Sequence, residues 1–256
     1  MFGRLLRFYR ERAGLSQETL GSRIGYSKSQ VAMVERGQRP PKEEFIAQAD
    51  KALGAQGALD VAGEKLSFTH LALWFEPFAE AEITASARHE YETHVVPGLL
   101  QTEDYARTVF NGAPVDDDVV EGRVLARLAR QKLLTRKPLA DISFVLELGA
   151  LTRPIGGRRV HKGQIARILE VSELRHVQMQ VMSPHRETHA GLGGPFVLLE
   201  TQERRQLAYL EAQGHSFLIS EQPHLSQLFG KYGTLRAQAL SPEESRDMIE
   251  QVAKDL

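Results

Sequence analysis

Apolar residues recur every three or four positions along the first sixty residues, which predicts a run of short helices. Leu5, Leu6 and Phe8/Tyr9 mark a helix over 3–13, ended by Gly14. Two short helical patterns follow, each opened by a serine able to cap it (Ser16 and Ser27), with Gly25 at the turn between them. Leu20, Ile24, Val31 and Val34 fall where they can meet in a small core, while Gln17, Lys28, Ser29, Gln30, Met33 and Arg36 point elsewhere. Gly37, Pro40 and Pro41 stop the pattern, and Phe45, Ile46, Ala49 and Leu53 resume it in one more helix. The small, polar stretch 54–66 reads as a linker or hinge, and it sets the expected boundaries at 1–56, 57–66 and 67–256.

Beyond the linker the period changes. Phe68, Leu71, Ala72, Phe75 and Phe78 predict an aromatic-rich helix, and strand-like patterns follow at 83–95, 142–146, 177–182, 196–200, 206–211 and 216–220. Helices are expected at 102–110, 116–136, 161–173, 222–237 and 241–254, with a glycine-rich loop over 184–195. The fold class expected is therefore an all-α N-terminal helix-turn-helix domain of five helices. An α+β domain with a mostly antiparallel sheet follows it.

The paired helices carry a resemblance. Arg12-Ala13-Gly14-Leu15, Ser16-Gln17-Glu18, Gly25-Tyr26-Ser27 and Glu35-Arg36-Gly37 resemble the Xre-type helix-turn-helix of phage repressors and bacterial regulators. The likeness implies double-stranded DNA as a partner, Gln17 as a phosphate contact, and Lys28, Ser29, Gln30 and Met33 at the groove, with Ser27 among the expected DNA contacts. Arg36 and Arg39 are expected to meet backbone phosphates, and a homodimer is expected because one such motif covers one half-site. Val96-Pro97-Gly98-Leu99-Leu100-Gln101-Thr102, Arg127-Leu128-Ala129-Arg130-Gln131 and Arg153-Pro154-Ile155-Gly156-Gly157 resemble a domain of unassigned activity. It trails this motif in many actinobacterial regulators, and the likeness implies a small acidic partner protein. Arg123, Arg127 and Arg130 recur on one face of the long helix and are the expected surface for it.

Charge supports a division of labour. Residues 1–56 hold 10 Lys/Arg against 6 Asp/Glu, while the whole chain nets −1, so a basic unit precedes an acidic one. The absence of cysteine excludes disulfides, thiol catalysis and Cys-based metal sites. No apolar run nears the ~20 residues of a membrane span, and the first residues lack a signal-peptide pattern, so a cytoplasmic protein is expected. His185 and His189 flank Glu187, but Pro184 and the glycines after them predict a loop, so no metal is expected. Gly191-Leu192-Gly193-Gly194 lacks the Lys-Ser/Thr ending of a phosphate-binding loop, and no Gly-x-Ser-x-Gly elbow occurs. Neither an enzyme nor a cofactor is expected. The favoured reading is a transcriptional regulator whose larger domain senses a ligand or binds a partner. The alternative is the DNA-binding member of a toxin–antitoxin-like or small-partner system.

Overall fold

The computed structural model describes residues 2–36, 41–69, 75–212 and 215–256. They divide into two compact units, one of residues 1–72 with 110–129 and the other of 73–109 with 130–256.

In the first unit α1 (Phe2–Arg12), α2 (Gln17–Ile24), α3 (Lys28–Glu35), α4 (Glu43–Leu53) and α5 (Ala58–Thr69) form a helical cluster. Phe2, Leu6 and Arg10 share one face of α1 at a spacing of four and are buried, because that is the face turned to the cluster. Leu20, Ile24, Val31, Val34, Phe45 and Ala49 complete the interior, as the periodicity predicts. The stretch expected as a linker is corrected here. Ala58–Thr69 is helical, and Leu59 and Ala62 belong to the core with Phe2 and Phe45. Its small residues are packing residues, and the helix start is held from a distance: Asp50 accepts hydrogen bonds from the amides of Gly57 (2.8 Å) and Leu59 (3.0 Å). Of the expected aromatic helix, 70–74 lies outside the described residues.

The second unit is built on a six-stranded mixed sheet in the order β3-β2-β1-β4-β5-β6. The strands are β1 (Ala85–Glu92), β2 (Asp141–Glu147), β3 (Val177–Met182), β4 (Phe196–Thr201), β5 (Gln206–Ala212) and β6 (His215–Ile219). β1 pairs β2 and β2 pairs β3 in parallel; the other three pairings are antiparallel, so the sheet is mostly antiparallel as expected. Helices α6 (Glu76–Ile83), α7 (Glu103–Phe110), α9 (Leu148–Thr152), α10 (Gly157–Ser172), α11 (His224–Gln238) and α12 (Pro242–Asp255) connect or follow the strands, whereas α8 (Asp117–Arg130) belongs to the first unit up to Ala129. Ile142, Phe144 and Leu146 pack with Val181, Ile168 and Ile249 on one face. Tyr91, Val145, Leu198 and Ala208 pack with Tyr232 and Leu235 of α11 on the other. The helix expected over 116–136 ends at Arg130 and tightens into a 3₁₀ turn over Gln131–Leu134.

Candidate nucleic-acid interface

The helix-turn-helix is set by local chemistry. Ser16, in extended backbone, accepts the Thr19 amide at 3.0 Å and starts α2. Gly25 ends it in the left-handed region at φ 76°, where a side chain would be strained. Gly21 lets the turn close, because a Cβ there would lie 2.5 Å from the Tyr26 carbonyl oxygen. Ser27 then starts α3 with a reciprocal cap: its hydroxyl accepts the Gln30 amide (3.2 Å) and its own amide donates to Gln30 Oε1 (2.9 Å).

A buried charge fixes the angle between these helices. Glu35, at the end of α3, receives Arg10 Nε at 2.5 Å and Nη2 at 3.0 Å, and Gln17 Nε2 at 2.7 Å. Arg10 also donates Nη1 to the Leu15 carbonyl at 2.8 Å, so one guanidinium joins α1, the α1–α2 turn and α3. The side chains of Arg10 and Glu35 are only 10% and 3% exposed, which makes this a shielded pair rather than a surface ion pair. The sequence pattern alone does not distinguish either residue from a solvated charge. The only signal was a polar residue at each of two positions facing the core.

Lys28 and Ser29 are exposed at the start of α3, Met33 is partly exposed one turn on, and Arg36 is exposed at its end. Positions 29, 33 and 36 follow the i, i+4, i+7 spacing, so they share a face. Lys28 Nζ lies 3.9 Å from Glu18 Oε2 in an exposed pair, a contact too weak to withhold the ammonium from a phosphate. Two expectations change in geometry. Gln30 Oε1 is committed to the cap, and one Gln17 amide hydrogen is committed to Glu35, so neither side chain presents all its polar atoms outward. The Ser27-x-x-Gln30 spacing is itself a capping signature that a sequence reader can see. Arg39 lies outside the described residues.

The arginines expected as a partner surface part company. Arg130 donates Nε and Nη2 to Glu82 at 2.6 and 2.9 Å, is 10% exposed, and lies over the Phe75 ring at 4.5 Å. Glu82 also receives Arg88, which pairs with Glu90 in turn. Burial alone would raise the Glu82 carboxyl, but Arg130 and Arg88 outweigh it and hold it well below the ordinary carboxylate range. Arg130 therefore leaves the exposed stripe. Arg123 and Arg127 are partly buried, and Arg127 stacks on Phe110 at 4.7 Å. Gln131 donates to the carbonyls of Gly98 and Gln101.

His185 and His189 do not converge. His185 is exposed, whereas the His189 ring accepts the Gly191 amide at 3.2 Å and sits 3.4 Å from Glu147. Glu147 also accepts the Tyr91 hydroxyl at 2.6 Å, so this loop is tied to the ends of β1 and β2. Among the described residues no group of three potential metal ligands is gathered, and no helix is long and apolar enough to cross a membrane.

A capped helix pair closed by a tight glycine turn, with a polar face on its second helix, defines a helix-turn-helix DNA-binding regulator. A family model for a helix-turn-helix domain matches residues 1–61. A second, described as a domain of unknown function (DUF5753), matches residues 75–251, and the chain belongs to that family. No curated protein matches the chain, and no solved structure does.

Proposed function

We propose that the chain is a sequence-specific transcriptional regulator that reads double-stranded DNA with α3 and acts as a pair of copies. The observation that carries this is the face of Ser29, Met33 and Arg36, with Lys28 exposed beside it, on a helix held by the Arg10–Glu35–Gln17 cluster. Lys28 and Arg36 supply positive charge for phosphates, and Ser29 and Met33 supply a hydroxyl and an apolar tip for base edges. One such helix spans one half-site, which is why two copies are proposed. The family domain serves the regulatory task, binding a ligand or a partner protein. Arg123 and Arg127 remain the proposed contacts for an acidic partner. The helix-turn-helix match ends at residue 61, which leaves the larger domain for a role other than reading DNA.

Selection of bound duplexes from a random pool by the purified chain tests the reading. A recurring motif is expected. Met33→Ala should weaken binding to that motif and change binding to random DNA little. Lys28→Ala should weaken both alike and lower the salt dependence by about one counterion. A pool that stays random after selection refutes the proposal.

A further inference from the structure

The two edges of the sheet are finished differently. At β3 the chain closes its own edge: the Val181 amide donates to Ser245 Oγ at 2.9 Å, and the Val181 carbonyl accepts the Leu240 amide at 3.0 Å. At the opposite edge β6 pairs inward with β5, and among the described residues no strand lies beyond it. Phe217 stands opposite Leu210 and Leu218 opposite Tyr209, so successive residues of β6 face opposite sides of the sheet. Phe217 is nevertheless 61% exposed and Leu218 40%. Edge strands are ordinarily blunted by charge, proline, a bulge or a covering segment. His215–Ile219 carries no Lys, Arg, Asp, Glu or Pro, and its register with β5 runs without a shift.

We infer that β6 is the surface on which two copies of this chain join, antiparallel about a two-fold axis at Phe217, so that two six-stranded sheets become one. The inference rests on the proposal that two copies bind DNA together. Charge argues for a copy as the occupant. Self-pairing sets a strand against its own reverse, so a charged edge tends to bring like charges close, which is unfavourable. Here Phe217 meets Phe217 of the other copy, Ser216 meets Leu218 and His215 meets Ile219, with no carboxylate, ammonium or guanidinium among the opposed side chains. Area sets the strength. A phenylalanine side chain buries about 200 Å² at most, so the exposed part of Phe217 offers roughly 120 Å² per copy. With Leu218 and the strand backbone the joint covers several hundred Å², below the ~1,000 Å² of a stable interface. The pair is weak alone and is strengthened when adjacent half-sites raise the local concentration of the second copy.

The chain has no cysteine, which makes a clean test available. Directly opposed residues of antiparallel strands have Cβ atoms ~4.5–5.5 Å apart, near enough for a disulfide after a small adjustment. Full-length Phe217→Cys under mild oxidation is expected to give several-fold more covalent dimer than Leu192→Cys, which is 70% exposed but remote from β6 in sequence. Equal yields at the two positions overturn the inference. Sedimentation of the wild type and Phe217→Lys, each alone and with a selected inverted-repeat duplex, separates the two ideas. The expected result is a wild type that pairs on the duplex and a variant that binds one half-site without pairing and keeps the wild-type circular dichroism. Dimers of both proteins remove β6 as the joint while leaving the two-copy reading in place. A wild type that is monomeric with and without the duplex removes both.

Discussion

Replacing Glu35 by alanine would leave the Arg10 guanidinium, 10% exposed, without its hydrogen-bonded carboxylate and Gln17 without its acceptor. Breaking a buried ion pair from one side costs about 3–5 kcal/mol, because the remaining charge stays desolvated. Arg10 keeps its bond to the Leu15 carbonyl and an ion-pair contact with Glu11 at 3.7 Å, so the lower end of that range, about 3 kcal/mol, is the expected loss. That is roughly a hundredfold in the equilibrium for opening this helical cluster, out of a total stability of about 5–15 kcal/mol for a typical domain. Hydrogen exchange read by mass spectrometry on the full chain resolves the effect. Peptides from α1 to α3 should lose about two decades of protection, while peptides from β1 and β2 keep theirs. Glu35→Gln should lose less, since its amide oxygen still accepts from Arg10 or Gln17. The double change Arg10→Met with Glu35→Leu should recover most of the loss, because an apolar pair of similar volume carries no desolvation cost. A loss of protection under about fivefold for Glu35→Ala, or a double variant as unstable as the single one, would refute a role for this charge in holding α3 against α1.

Two other outcomes follow from the larger unit. Arg130→Glu sets a second carboxylate against Glu82 beside Arg88, and it should lower the melting temperature by several degrees, with a cost of about 3 kcal/mol or more; an unchanged melt would return Arg130 to the partner surface. Burial first, then Glu90, pushes the Glu92 carboxyl up to about 7, so its protonated form suits the folded state and the stability it contributes is complete below pH 4.5 and is lost as pH rises towards 7. Glu92→Gln, which keeps an oxygen for the Thr93 and His94 amides, should therefore raise the melting temperature at pH 8 and leave it unchanged near pH 4.5; a gain equal at both values would refute the cause.

Features under short-range control are legible along the chain. Ser16, Gly25 and Ser27 mark the helix ends of the DNA-reading motif because a cap bonds amides two or three residues away. Ser241 with Glu244 starts α12 for the same reason. The six strands fall within a few residues of the segments expected for them, because short apolar runs bounded by turn residues favour extended backbone. Even the restraint on Gln30 was readable, through its three-residue spacing from Ser27.

Which side chains meet across long stretches of chain depends on how the elements pack. Arg10 and Glu35 lie 25 residues apart, and Glu82 and Arg130 lie 48 apart; an arginine on a helix face looks the same in sequence whether water or a distant carboxylate receives it. The stretch 57–66 departs from the expected linker for a related reason. Small residues suit a linker and a close helix contact equally, and Asp50, Phe2 and Phe45 make it the latter. The order of the strands, with β1 between a parallel and an antiparallel neighbour, arises from packing helices on both faces at once. Local pattern fixes which face of an element is apolar, but the partner of that face is chosen by how the whole chain closes on itself.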